Sequence, residues 1–342
     1  MTRRRRQLRL AAPAALLCIA ILAILIASAR STLPAKGRHS RSRTHAARSS
    51  DRLAAVGPAL RQSPIGTLAA PLQDAAAVSL GAERLVLLGG LDSSDTSTAA
   101  ITVLTAGHPS ASARLPEAQH DAQGASLDGG LYVFGGGQFS SYDHILRYEP
   151  GNGRVSLVGH LPRPASDVAV TTIGGTAYII GGYDGQRALD TILAWRPGGN
   201  PAVVGRLPSG LRYAAVAATS SKVIIAGGST AAGASRAVLS FEPSTGRVTQ
   251  IGSLPHPLTH AAAASLGPTV YVMGGRGSLP GSQTSAILAI NPESGRVRHT
   301  GDLAQPLSDA AIAMVGGRIV LAGGQSASGT QSSIFELTTL PG

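Results

Sequence analysis

The sequence predicts an all-β fold, a six-bladed β-propeller of four-stranded antiparallel blades, preceded by an N-terminal transmembrane helix or signal segment and a disordered basic linker. Three observations carry this reading. A Gly-Gly pair closes a short apolar run six times, beginning at Gly89, Gly135, Gly181, Gly227, Gly274 and Gly323. The intervals are 46, 46, 46, 47 and 49 residues, in the range of a repeated four-strand unit. Each repeat also carries the same punctuation, a leucine landmark ahead of a small-residue strand and a turn behind the glycines. At 342 residues the chain needs no second large domain, because propellers use such length as one unit.

Residues 1–30 are a basic tip followed by a membrane anchor or a secretory signal. Arg3, Arg4, Arg5, Arg6 and Arg9 precede the uncharged stretch from Leu10 to Ala29, which at ~1.5 Å per residue can span a bilayer core of ~30 Å. Ala27-Ser28-Ala29 has the small-x-small form of a cleavage site, while the run is longer than the apolar core of most signals. Anchor and cleaved signal both remain open. Either places the propeller outside the cytoplasm: on the cell membrane as a single-pass protein with membrane contact through residues 10–29, or secreted after cleavage near Ala29. Arg30, Lys36, Arg38, Arg41, Arg43 and Arg48 crowd the far flank and weaken the positive-inside argument for orientation. Residues 31–53 are Ser, Arg, His and Ala with few large apolar side chains, the composition of a disordered basic linker.

The net charge of +11 belongs to this segment. Residues 1–52 hold 12 Lys or Arg against Asp51, which leaves 17 basic and 17 acidic residues in the remainder. A neutral propeller argues against nucleic acid as a partner. The single cysteine, Cys18, lies in the apolar run, so the propeller has no disulfide, thiolate nucleophile or cysteine metal ligand.

The propeller itself is assigned to residues 54–342. Leu115-Pro116, Leu161-Pro162, Leu207-Pro208 and Leu254-Pro255, with Leu68 and Leu303 lacking the adjacent proline, mark blade-to-blade crossings. A short alanine-rich strand follows each, as in Ala75 to Leu80, Val168 to Ile173 and Ala310 to Val315; small side chains suit the crowded innermost position. A more apolar second strand leads into Gly-Gly, for example Leu131 to Phe134 and Val270 to Met273, where glycine permits positive φ and close backbone approach. The outer hairpins are spelled Glu149-Pro150-Gly151-Asn152-Gly153, Glu242-Pro243-Ser244-Thr245-Gly246 and Asn291-Pro292-Glu293-Ser294-Gly295, with Pro opening the turn and Gly closing it. The last repeat stops after its third strand, whereas residues 61–67 match a fourth strand with no blade in front of them. The N-terminal strand is therefore expected to close blade six and remove the exposed edges; Pro64 suits an outermost strand.

This pattern resembles the kelch repeat, with its Gly-Gly after the second strand, an aromatic three residues earlier (Tyr132, Tyr178 and Tyr271), and a later Pro-containing turn. The resemblance covers about residues 60–340. The tyrosine is replaced by Val86, Ile224 and Val320 in three blades, and the tryptophan expected near the fourth strand is missing, since Trp195 lies in a third. Galactose oxidase, a kelch-type copper enzyme, uses a tyrosine cross-linked to cysteine, which this propeller cannot form.

Candidate site residues fall into two sets. One position per repeat, just before the first strand, forms a ring: Asp74, Asp121, Asp167, Tyr213, His260 and Asp309. Four carboxylates near the axis could bind a cation or a polyhydroxylated ligand, with Tyr213 for stacking and His260 as a titratable group. Alternatively each Asp hydrogen-bonds backbone amides and serves the fold. The loops after Gly-Gly do not repeat, and variation there suits specificity; Gln138, Tyr183, Asp184, Arg276 and Gln325 are the candidates. Nine scattered histidines lack zinc-ligand spacing. Gly324-Gln325-Ser326-Ala327-Ser328 lacks the last glycine of a nucleophile elbow. No catalytic residue, metal or cofactor is assigned. The reading is a non-catalytic binding or scaffold module on the cell envelope with a glycan or protein ligand. The alternative is an envelope sugar enzyme similar to the kelch-type mutarotase that epimerises sialic acid, with Asp and His as acid and base.

Overall fold

The computed structural model describes residues 57–340; the basic tip, the anchor or signal and the linker lie outside the described residues. Among the described residues no helix is long and apolar enough to cross a membrane. Six antiparallel sheets follow one another as blades, five of them four-stranded and the fourth widened to five strands by a short added hairpin. Counted from the inside out, blade one holds Ala76–Leu80, Arg84–Leu88, Ala100–Thr105 and His108–Arg114. Blade two holds His120–Leu127, Gly130–Gly137, His144–Glu149 and Arg154–His160, and blade three Ala169–Ile173, Thr176–Ile180, Thr191–Trp195 and Ala202–Arg206. Blades four and five begin at Ala215–Ala218 and Ala262–Leu266. Blade six contains Ala311–Val315, Arg318–Ala322 and Ser333–Thr339, and its outermost strand is Leu60–Thr67 from the other end of the chain.

That closure is antiparallel, from Leu60 opposite Thr339 to Thr67 opposite Ser333, with a register shift between Pro64 and Gly66. The shift and the proline both fit an outermost strand, where one row of amides faces no partner.

The core lies between blades rather than at the axis. Six apolar clusters occupy the six blade-to-blade interfaces, and the crossing leucines Leu68, Leu115, Leu161, Leu207, Leu254 and Leu303 are all buried within them. Alternate residues of the second strands face opposite neighbours, which explains why those strands are apolar throughout. The innermost strands instead surround an axial channel of about 410 Å³, where Ala77, Ala169, Ala217, Ala263 and Ala313 contribute small side chains.

The Gly-Gly pairs join neighbouring blades. The second glycine donates its N–H to a crossing carbonyl of the next blade: Gly90 to Gln119, Gly136 to Ala165, Gly182 to Leu211, Gly228 to Leu258, Gly275 to Leu307 and Gly324 to Leu72, all at 2.8–2.9 Å. The first glycine lets that approach happen. At Gly274, where φ is +61°, a Cβ would stand 2.1 Å from the Leu307 carbonyl oxygen, and that backbone atom cannot swing aside. Gly274→Ala is expected to lower stability by about 2–4 kcal/mol, since it combines positive φ with a lost inter-blade bond; a urea titration checks this through a lower midpoint.

Blade four departs from the sequence expectation. Leu254-Pro255 was expected at a chain crossing, yet the outer strand runs from Arg247 to Leu258 through it. The cause is the extended third strand, Gly233–Glu242, which begins in a small hairpin with Ser229–Thr230 and pairs Ser235 with Leu258. Pro255 is tolerated because an outermost strand does not need every N–H.

Candidate functional site

The six ring positions come together at one end of the axial channel. Each adopts left-handed backbone geometry, with φ of 53° at Asp74, 56° at Asp121, 57° at Asp167, 50° at Tyr213, 57° at His260 and 58° at Asp309. Such φ costs energy for residues with a Cβ, least for Asp and its like. The strain is offset by a closed cycle of backbone hydrogen bonds. Each ring N–H donates to the carbonyl of the ring residue one blade earlier: Asp121 to Asp74 (3.2 Å), Asp167 to Asp121 (2.9 Å), Tyr213 to Asp167 (3.1 Å), His260 to Tyr213 (3.2 Å) and Asp309 to His260 (3.0 Å). Asp74 donates to Asp309 at 3.0 Å and completes the circle. These backbone amides are satisfied by carbonyls, so the carboxyl groups are not used to cap them. All six residues line a cavity of about 70 Å³, room for a few waters.

The side chains are bonded to one another. Arg212 pairs through Nε with Oδ2 of Asp167, whose side chain is 2% exposed. The same guanidinium lies 4.2 Å over the Tyr183 ring and 5.2 Å from that of Tyr213. Tyr213 donates its hydroxyl to Oδ2 of Asp121 at 3.1 Å, and its ring stacks on His260 at 3.7 Å and 22°. Ser308 donates to Oδ2 of Asp309 at 2.6 Å.

His260 illustrates how completely the network is used. Nε2 lies 3.1 Å from Nη2 of Arg276, and a guanidinium can only donate. Nε2 is therefore the acceptor, and Nδ1 carries the proton toward Oγ1 of Thr259 at 3.0 Å. Thr259 in turn meets Oγ of Ser229 at 2.8 Å. Burial, then Arg276 and Arg212, push the His260 pKa down to about 3, so the ring is neutral across the physiological range.

The carboxyls move the other way. Burial, followed by the neighbouring Asp309 and Asp121, holds Asp74 well above the ordinary carboxyl value of 3.8. Burial and Asp167 raise Asp121, against the opposing Tyr213 hydrogen bond. Burial also raises Asp309, while Ser308 and Arg276 pull it back. Like charges this close cannot all ionise, and protons are shared around the arc. At these carboxyls the folded state binds protons more tightly than the unfolded chain, so their contribution to stability falls as pH rises from 3.8 through the raised folded values, opposite in sign to that of His260, whose lowered pKa favours the folded state as pH rises. Asp74→Asn is expected to flatten that fall and to raise stability at pH 8 by about 1 kcal/mol. Melting temperatures of both proteins from pH 4 to pH 9 test it; parallel curves would refute the shared proton.

Residues just past each Gly-Gly sit beside the ring. Tyr183, Arg276 and Gln325 bridge by backbone to Ser166, Thr259 and Ser308, each of which immediately precedes a ring residue. Gln325 is spent in its own hairpin, accepting from Oγ1 of Thr330 at 3.1 Å. Gln138 and Asp184 stand one residue farther out, and their hydrogen bonds and ion pairs go to their own loops and to Arg163 rather than to the ring. The N–H of Gln138 closes a turn onto Ser140 at 3.3 Å. Asp184 accepts the amides of Gln186 and Arg187 at 3.0 and 2.9 Å, which lower its pKa and make it a turn cap. Arg212 was absent from the sequence candidates. Its signal was present: Gln73, His120, Ser166, Arg212, Thr259 and Ser308, the residues before the six ring positions, are all polar.

Among the described residues no group of three or more His, Cys, Asp or Glu is placed to hold a metal ion. A kelch-motif family model matches residues 164–200, which span the third Gly-Gly. The solved structure of YjhT superimposes with a TM-score of 0.70 over 80% of this chain and 99% of that one, at 17% sequence identity. At that identity the likeness is one of fold. Curated proteins provide no significant sequence match. With 989 solved chains matching the shape, likeness of fold selects no activity.

Proposed function

The chain is a kelch-repeat propeller, and from that premise we propose that it is a non-catalytic binding module of the cell envelope, tethered or secreted through residues 1–30, that presents its ring face to a glycan or protein ligand. One observation carries this reading: apart from Asp74, the titratable groups of the ring are committed to neighbouring side chains. His260 has its lone pair on Arg276, Asp167 is paired with Arg212, Asp121 accepts from Tyr213 and Asp309 from Ser308. Acid–base catalysis needs a group free to exchange a proton with substrate. Recognition needs fixed donors and ring faces, and Arg212, Arg276 and Tyr183 supply them at the rim. A glycan array followed by calorimetry on the full chain tests the proposal. A binding glycan should lose at least tenfold in affinity with Arg276→Gln, about 1.4 kcal/mol; an unchanged Kd removes the ring face as the site.

The raised pKa of Asp74, which faces the axial cavity, favours a second reading as a sugar enzyme of the sialic-acid mutarotase kind. Accelerated mutarotation of N-acetylneuraminic acid, abolished by Asp74→Asn, would replace the binding reading with this one.

A further inference from the structure

A second concave site lies away from the axis, on blade three. The chain crossing at Leu161–Arg163 and the crossing at Ser209–Gly210 wall a cleft of about 450 Å³. Its floor is apolar, formed by the buried Leu161, Ile179 and Leu193. Its rim carries three guanidinium groups, Arg163, Arg187 and Arg206, against the one lining carboxylate of Asp190.

The three arginines are not equally occupied. Arg206 is committed: Nη1 reaches both carboxylate oxygens of Asp190, at 2.9 and 3.1 Å. Arg163 and Arg187 each stand 3.8 Å from Oδ2 of Asp184, which is attraction without a hydrogen bond. Asp184 cannot approach closer without giving up its own turn, because Oδ1 caps the amides of Gln186 and Arg187. Both guanidinium groups are held near one point, on side chains that are 62% and 69% exposed. Forked donors above an apolar floor match an anionic head on an apolar body, the head bonded by the fork and the body removed from water. A volume of 450 Å³ is that of a small-molecule site. The chain's own N-terminal segment is excluded by charge, because residues 1–52 carry 12 basic residues and one acidic.

We propose that the blade-three cleft binds a small amphipathic organic anion, with Arg163 and Arg187 holding the carboxylate or phosphate head and Leu161, Ile179 and Leu193 receiving the body. Asp184 competes with that head for the same two cations. The site is independent of the ring face.

Calorimetry on the full chain with 4-phenylbutyrate, 4-phenylbutanol and acetate separates the contributions. At roughly 0.3 kcal/mol per heavy atom, phenylbutyrate is expected to bind with a Kd in the millimolar range. The alcohol, which lacks charge, and acetate, which lacks a body, should bind at least tenfold more weakly. Arg163→Gln with Arg187→Gln should weaken phenylbutyrate about tenfold, whereas Asp184→Asn, which keeps a cap on the turn but removes the competing charge, should tighten it several-fold. Opposite signs at adjacent residues cannot come from simple loss of folding, and Arg276→Gln at the ring face should change nothing here. No saturable binding of phenylbutyrate, equal binding of the three probes, or an unaltered Kd in the double arginine variant would each overturn the proposal.

Discussion

Arg212→Ala is expected to lower stability by about 3–5 kcal/mol, the range seen when one partner of a buried ion pair is removed. Asp167 is the reason. Its side chain is 2% exposed and rests on the Arg212 guanidinium, while its neighbours along the arc, Asp121 and through it Asp74, are carboxyls that cannot neutralise it. The variant also strips the Tyr183 ring of the cation 4.2 Å above it, a smaller loss of about 0.5–2 kcal/mol. The measurement is a urea titration of wild type and variant, in which the midpoint should fall with little change of slope. Asp167→Asn in the Arg212→Ala background should recover most of the loss, because an amide carries no charge to strand. Arg212→Lys should recover only part, since a point charge cannot both pair with Asp167 and lie flat on Tyr183. A loss below about 1 kcal/mol in Arg212→Ala would show that the Arg212–Asp167 pair contributes little to the stability of the fold.

What the sequence discloses of this protein follows from which contacts are backbone contacts. The Gly-Gly pairs are visible because each is a main-chain bond to the next blade, where a Cβ would meet a carbonyl oxygen at 2.0–2.4 Å and no other residue fits. The ring positions are visible for a related reason: positive φ in six equivalent places selects Asp and His, and Tyr213 is the exception. Their network was not readable, because it depends on side chains that reach sideways between blades. Arg212 sits one residue before Tyr213 yet acts on Asp167, 45 positions away. Asp184 looks like a ligand-binding carboxylate in sequence, and only its bonds to Gln186 and Arg187 show that it is first a turn cap. The variable loop that carries Asp184 is legible in sequence, but the blade-three cleft as a unit is not, since Arg163, Arg187 and Arg206 belong to three separate segments.

Removing residues 57–67 is expected to abolish the cooperative folding of the ring. This strand provides more than the outer edge of blade six. Leu60 is buried in the cluster between blades five and six, together with Tyr271, Leu303 and Leu337. The strand is also fastened to blade five: Pro58 accepts the Tyr271 hydroxyl at 2.8 Å, Gln62 accepts the amide of Ala304 at 2.8 Å, and Gly57 accepts from Arg298. In a closed ring each blade has two neighbours, so loosening one interface also loosens the hydrogen-bonded circle that runs through Asp309 and Asp74. The truncated chain would further expose the edge of Ser333–Thr339, a free strand edge that invites pairing with another copy. The expected result is a broad melt in place of a single transition, with dimers or larger species by size exclusion. A synthetic peptide of residues 57–67 should restore a sharp transition by occupying the vacant edge in trans. If the truncated protein instead melts as one sharp transition within a few degrees of wild type and stays monomeric, the five complete blades already fix the circle, and closure by the N-terminal strand contributes little to stability.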